Sequence, residues 1–302
     1  AKNPTYGAVF TYHLAEDYKT AKEHRTKKEA DLNKKNANIP FPGWDALDAE
    51  REDQAAQVVL SIQDSKGNVI NKVSQKASKG SHRIAWNFTH FNPYAVSDRS
   101  SQTNRGGALA KPGTYQASLA LIQNGKVTPL DGPISFEIKA IREGVLKGID
   151  TDAYNSYLAE VTSVYSSIAA VQDVLSQSVK MHKAMKIALS RAKILPGAIE
   201  TKLAELNADL IRINKGISGS PSRSEVGERN PSGIRNYLST AMTGLQNSYG
   251  PTPLHAKSLE IAKTLLSELK TEVKTISETR IPAIESALKA AGAPYIMGQG
   301  IE

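Results

Sequence analysis

The chain has no cysteine. That excludes disulfide cross-links, thiol nucleophiles and thiolate-bound metals. It leaves the compartment open. Aromatic residues make up only 6% of the 302 positions, with two tryptophans. A binder of single-stranded nucleic acid interleaves cationic residues with aromatic stacking platforms, and the sequence has no such cluster. The net charge of +8 is scattered along the chain, as in a solvated surface with a lysine excess. Nucleic acid is therefore not an expected partner. No apolar run approaches the roughly 18 residues that cross a bilayer, so no transmembrane segment is expected. The first residues, Ala1-Lys2-Asn3-Pro4, do not have the shape of a signal peptide.

Catalytic constellations are missing as well. The histidines are His13, His24, His82, His90, His182 and His255, and no two have the spacing of metal ligands on one helix. His182, between Met181 and Met185, reads as a helix-face residue. His82 and His90 flank Trp86 and could meet at a sheet edge; ordinary strand positions are the plainer reading. The carboxylate pairs Glu16-Asp17, Asp48/Glu50 and Glu52-Asp53 lie among lysines. Glycoside hydrolysis needs two carboxylates about 5–10 Å apart across a cleft, which exposed helix carboxylates do not suggest. Gly106-Gly107 lacks the strand before and helix after that a phosphate loop requires. Asp64, Asn68 and Asp98 could offer oxygens to calcium, without the spacing of a helix–loop–helix calcium site. We therefore expect no catalytic, cofactor-binding or metal-binding residue, no cofactor, and a non-enzymatic role.

What is present is a change of period. Gly7–Leu14 reads as one strand. Residues 15–56 form a charged insertion: Ala15 to Lys35 favours a solvated helix, Asn36 to Gly43 with two prolines ends it, and Trp44 is expected to anchor its return. Val58, Leu60 and Ile62 then alternate with polar or outward neighbours. Lys66-Gly67-Asn68 is a turn before a return strand, Val69–Val73. Ile84 and Trp86 share the inward face of the next strand. Asn87–Ala110 is a long loop, functional or flexible by its length. Pro112-Gly113 starts another strand, Asn124-Gly125 is the strongest hairpin signal, and Ile134, Phe136 and Ile138 alternate in the last strand. Together these predict an antiparallel β-sandwich.

Beyond Ile141 the period is near 3.6. Asp150 or Thr151 caps a helix to about Lys193, with Tyr154, Leu158, Val161, Tyr165, Ile168 and Leu175 inward. A second helix carries Ile199, Leu203, Leu206, Leu210, Ile213 and Ile217, an apolar seam in steps of four and three. After a loop from Ser218 to Asn230, a shorter helix spans Ser232 to Asn247 with Ile234, Leu238 and Leu245 inward. Thr252 and Pro253 open the last long helix, whose face runs from Leu259 through Ile276 to Leu288. Pro282 should kink it, and Gly292-Ala293-Pro294 ends it. No repeat at a solenoid period is visible.

The strand, Asp64-Ser65-Lys66-Gly67-Asn68, the next strand, Lys79-Gly80-x-His82-x-x-x-Trp86-Asn87 and Pro112-Gly113-Thr114-Tyr115 resemble the immunoglobulin-like module of flagellar hook-capping type. The wider pattern runs from Asn3-Pro4-x-Tyr6-Gly7-Ala8 to Ala291-Gly292-Ala293-Pro294-Tyr295. It resembles the C-terminal region of bacterial sortilin-like, BNR-repeat β-propeller proteins, often labelled glycosyl-hydrolase-like. The resemblance implies a multidomain β plus α chain. Residues 1–141 would be an Ig-like antiparallel sandwich with the helical arm inserted at 15–56. Residues 142–302 would be an antiparallel bundle of three long helices and one short one. It also implies export to the periplasm, cell surface or medium of a bacterium, and an N-terminal β-propeller before Ala1 that would hold any glycosidase activity.

The expected function is a non-catalytic interaction or scaffold region that assembles with a protein partner through the arm, the bundle or the Asn87–Ala110 loop. The alternative is an accessory carbohydrate-binding region, with Trp44, Phe91 and Tyr94 as stacking candidates.

Overall fold

The computed structural model describes residues 5–93, 96, 107–141, 148–247 and 249–299. Tyr94, Asp98, Gly106, Asn3, Pro4 and half of the 87–110 loop lie outside the described residues. Residues 5–92 and 107–141 belong to one compact unit, and residues 148–299 to a second. The chain is a mixed α and β protein, with two antiparallel sheets and a helical region among the described residues.

In the first unit, β1 (Ala8–Leu14) pairs with β4 (Gly80–Trp86), and the other sheet has the order β3 (Val69–Lys76), β2 (Gln57–Gln63), β5 (Gly113–Gln123), β6 (Lys126–Ile138). The alternation read in β2 places Val58, Leu60 and Ile62 in the core. Residues of both sheets share that core: Ile84 and Trp86 from β4, Leu60 and Ile62 from β2, Tyr115 and Ala117 from β5. Trp86 is wholly buried, donates its indole N–H to the Thr89 carbonyl at 2.8 Å, and packs near Tyr115 and edge-on to Phe136. The Tyr115 hydroxyl donates to the Lys111 carbonyl four residues back, at 2.7 Å.

Turn chemistry follows the residues closely. Asn124 and Gly125 both have positive φ, 47° and 75°, the geometry whose twist matches a two-residue hairpin. In the β2–β3 turn the Asp64 carboxylate accepts the amides of Lys66 and Asn68, each at 2.9 Å.

Three expectations for this unit need correction. The first helix starts later than Ala15: α1 is Ala21–Lys34, because Thr20 and Glu23 form a reciprocal capping box. Trp44 does not anchor the insertion; it opens α2 (Trp44–Glu52) and is 73% exposed. Ile134 is 53% exposed while Phe136 and Ile138 pack against the core. The reason is position: β6 is a sheet edge, and a two-stranded sheet cannot cover all of a four-stranded one.

In the second unit, Asp150 caps α3 (Thr151–Leu189) by accepting the amides of Asp152 and Ala153. From Val161 the buried face of α3 runs Val164, Ile168, Val171, Leu175, Ser178, His182 and Met185, in alternating steps of three and four. Val164, not Tyr165, takes the seam position. α4 (Ala198–Ser218) buries Leu203, Leu206, Leu210, Ile213 and Ile217, while Ile199 is half-buried. The 218–230 segment contains a single helical turn, α5 (Pro221–Glu225), held by Asn230, which accepts the Ser220 amide at 2.9 Å and donates to the Ser224 hydroxyl at 2.6 Å. α6 (Ile234–Thr243) packs on α7 (Pro253–Thr275), and α3 touches α4, α6, α7 and α8 (Ile281–Ala290).

Pro282 acts differently from a simple kink. The helix widens into a π turn, Ile276–Arg280, and resumes as α8 with Pro282 in its first turn. The amide of Ile281 reaches back five residues to the Ile276 carbonyl. An extra residue per turn moves the carbonyl that the proline ring would strike, and leaves the missing N–H in a first turn. α8 ends as its Gly292 predicts: Gly292 at φ 68° donates to Lys289, and Ala293 donates to Leu288.

Candidate functional site

The arm formed by α1 and α2 is a surface element built from polar contacts. Neither helix has a buried residue. Arg25 instead clamps them: its guanidinium donates to both carboxylate oxygens of Glu50, at 2.6 and 2.8 Å, and to Glu29 at 2.8 Å. This two-pronged geometry is the strong form of an ion pair. It leaves the Glu50 side chain 9% exposed and holds its carboxyl below the ordinary glutamate range. At the base, Asp53 accepts the Ala21 amide at 2.6 Å and the Asn124 side-chain amide at 2.9 Å, and these bonds lower its pKa. Glu23 pairs with Lys76 of β3.

The arm's far end is apolar. Asn36, at φ 49°, terminates α1. Pro40 and Pro42 then stiffen the connection to α2; its Ile39 and Phe41, and Trp44 at the start of α2, are 42%, 61% and 73% exposed. Phe41 and Trp44 meet edge to face, ring centres 5.0 Å apart and planes at 68°. Asp45, Asp48 and Glu52 are exposed at α2 positions i, i+3 and i+7, which lie along one side of a helix. The clamp positions the aromatic pair; the tip itself buries nothing.

A second feature lies in the helical unit. α3 and α4, with the start of α6, line an open groove of about 590 Å³. Its apolar floor includes Leu175, Val179, Leu210 and Ile211, and Lys180, Lys183 and Arg235 stand along it with the amides of Gln172, Asn207 and Asn214. Among the described residues no aspartate or glutamate lines it. A depression between α3 and α7 differs: its Lys263 pairs with Glu160 at 2.5 Å and its Lys257 with Glu260 at 2.9 Å.

Among the described residues, those singled out from the sequence do not converge. His82 bonds to the Ser78 carbonyl at 2.8 Å and stacks near Tyr12. His90 hangs by its backbone amide on Ala108, and burial lowers its pKa. No contact joins the two rings among the described residues. His182 sits in the α3 seam; burial lowers its pKa, against a hydrogen bond to the Leu203 carbonyl. Asp64 and Asn68 satisfy their own turn. Of the glycine pair, Gly107 lies where a Cβ would strike the His90 and Phe91 carbonyls, a close backbone approach. Glu50 and Asp53 are structural, as above. Phe91 is 49% exposed, but Trp44's ring partner is Phe41. Among the described residues, no group of three histidine or acidic side chains could hold a metal ion, and no helix is long and apolar enough to cross a membrane.

The groove was missed by sequence reasoning. Lys180 and Lys183 on the outer side of α3 were readable; Arg235 joining them from another helix was not. Compared with known proteins, the chain matches no family model, no curated protein and no solved structure.

Proposed function

We propose that the chain is a non-catalytic interaction and scaffold region of an exported bacterial protein. On this reading it follows an N-terminal β-propeller and assembles with a protein partner. On the same reading the first unit is an Ig-like sandwich carrying the arm, and the second an antiparallel helical bundle. Trp86 in the core and the Tyr115 hydroxyl bonded back to Lys111 support the Ig-like reading, since a buried tryptophan and a tyrosine corner are features of that architecture.

One observation carries the functional reading. An exposed aromatic pair, Phe41 and Trp44, is held out at the end of a charge-clamped arm. Large aromatics are the side chains that anchor protein interfaces. Leaving them in water costs about 25 cal/mol per Å² of apolar surface, which a partner would recover. A carbohydrate reading draws on the same rings. It is the weaker of the two, because planes at 68° present one sugar-stacking face and not a flat row.

The test is cross-linking and capture from native envelopes with the parent chain and with Phe41→Ser/Trp44→Ser. Specific captured proteins should disappear in the double variant while circular dichroism stays unchanged. Identical capture by both chains would overturn the reading. Saturable polysaccharide binding that depends on Trp44 would replace it with the carbohydrate one.

A further inference from the structure

The arm and the groove are complementary. α2 offers Asp45, Asp48 and Glu52 along one side, beside the apolar Phe41 and Trp44. The groove offers Lys180, Lys183 and Arg235 over an apolar floor, with no carboxylate among the described residues that line it. These groups are largely free of competing pairs. Among the described residues the three cations make no salt bridge, and Asp48 has only a loose, exposed contact with Arg51 at 3.8 Å. The dimensions also agree. α2 has nine residues, about 13 Å of helix. The groove follows α3 from Gln172 to Lys183 and α4 from Asn207 to Ser218, about 17 Å of helix on each side.

We infer that the groove between α3 and α4 receives the arm of a second copy of this chain, α2 lying along it with its carboxylates on Lys180, Lys183 and Arg235 and Trp44 on the apolar floor. The inference rests on the reading of the arm as a contact element and names its occupant. Charge complementarity selects the occupant: an acidic helix with an exposed aromatic end is what such a groove attracts, and this chain carries one. Because donor and acceptor surfaces differ, the contact is head-to-tail. It generates rings or open chains and not an isologous dimer. The depression between α3 and α7 would not compete, since its lysines are already paired.

Sedimentation velocity of the intact chain tests this. Association should be present at about 20 mM salt and strongly reduced at about 300 mM, where screening shortens the reach of the charges. Lys180→Glu/Lys183→Glu and Asp45→Lys/Asp48→Lys should each weaken self-association by about tenfold or more, the equivalent of about 1.4 kcal/mol. Mixing the two variants should restore association, because each then supplies the complement of the other; loss of fold could not produce that rescue. A synthetic peptide of residues 39–53 should compete.

A chain that stays monomeric at low salt and high concentration overturns the inference. So does association unchanged by both charge reversals. If the chain is monomeric but still captures envelope proteins through Trp44, the inference falls and the proposed function stands. If it self-associates by this rule and captures nothing else, the inference stands and the proposed function falls.

Discussion

Two helix pairs in this chain are held together by opposite means. α3 and α4 meet along apolar seams in which Leu206 and Ile213 are wholly buried. α1 and α2 bury no residue, and a guanidinium bonded to two carboxylates stands where a core would be. Burial is cooperative, nearly independent of salt and costly to break. Exposed ion pairs are worth little singly and are sensitive to salt and acid. The bundle is thus suited to hold a shape, and the arm to position a surface that can yield.

The largest expected effect is on the seam. Leu206→Ala should lower the stability of the helical unit by about 2–5 kcal/mol in denaturant melts. A loss below about 1 kcal/mol would mean that the seam does not hold the unit together. Tyr115→Phe removes one bond to Lys111 and should cost the first unit about 1 kcal/mol; an unchanged midpoint would show that the bond is replaced by water. Arg25→Ala should leave the global midpoint in place and speed proteolysis and hydrogen exchange across the arm. Equal protection in parent and variant would deny the clamp.

Acid should make the same distinction. Glu50 has a depressed pKa, first through its hydrogen bond to Arg25. Its contribution is present above the ordinary glutamate value near 4.5 and is lost as pH falls through the lower folded value. The arm should therefore stay closed from neutrality to that value and loosen below it, before the α3–α4 seam does, as residue-resolved exchange would show. The smallest effect lies at the alkaline end. Tyr157 donates to the Ala241 carbonyl at 3.0 Å, and burial pushes its pKa from 10.0 up to about 12. A raised pKa means stability complete below the unfolded value and lost between about pH 10 and 12. Tyr157→Phe should flatten that part of the pH profile.

Much of the fold was legible where one residue has one physical use. Asp150 before a helical period, Pro253 at a first turn, Asn124-Gly125 between strands and Gly292 after a stripe each specify a local backbone state, and each lies where expected. The seam of α4 was readable to within one residue. Less legible were features set by what lies opposite. Ile134 alternates like its neighbours, yet it is exposed because its strand is an edge. Trp44 has the composition of an anchor, but Arg25 and Glu50 supply the bracing and leave it in solvent. Pro282 announces a disturbance without saying whether the helix bends or widens.

The candidate surfaces divide in the same way. That residues 15–56 form a polar helical excursion with an aromatic, proline-rich end is written in composition and spacing, because helix propensity and capping act over a few residues. That the excursion is clamped by Arg25, and that Lys180, Lys183 and Arg235 line one groove, depends on side chains far apart in the chain. Local interactions are encoded by neighbours in sequence and determine elements, turns and seams. Convergence of charge is encoded by packing, so only the tertiary structure decided where this protein presents an unpaired surface.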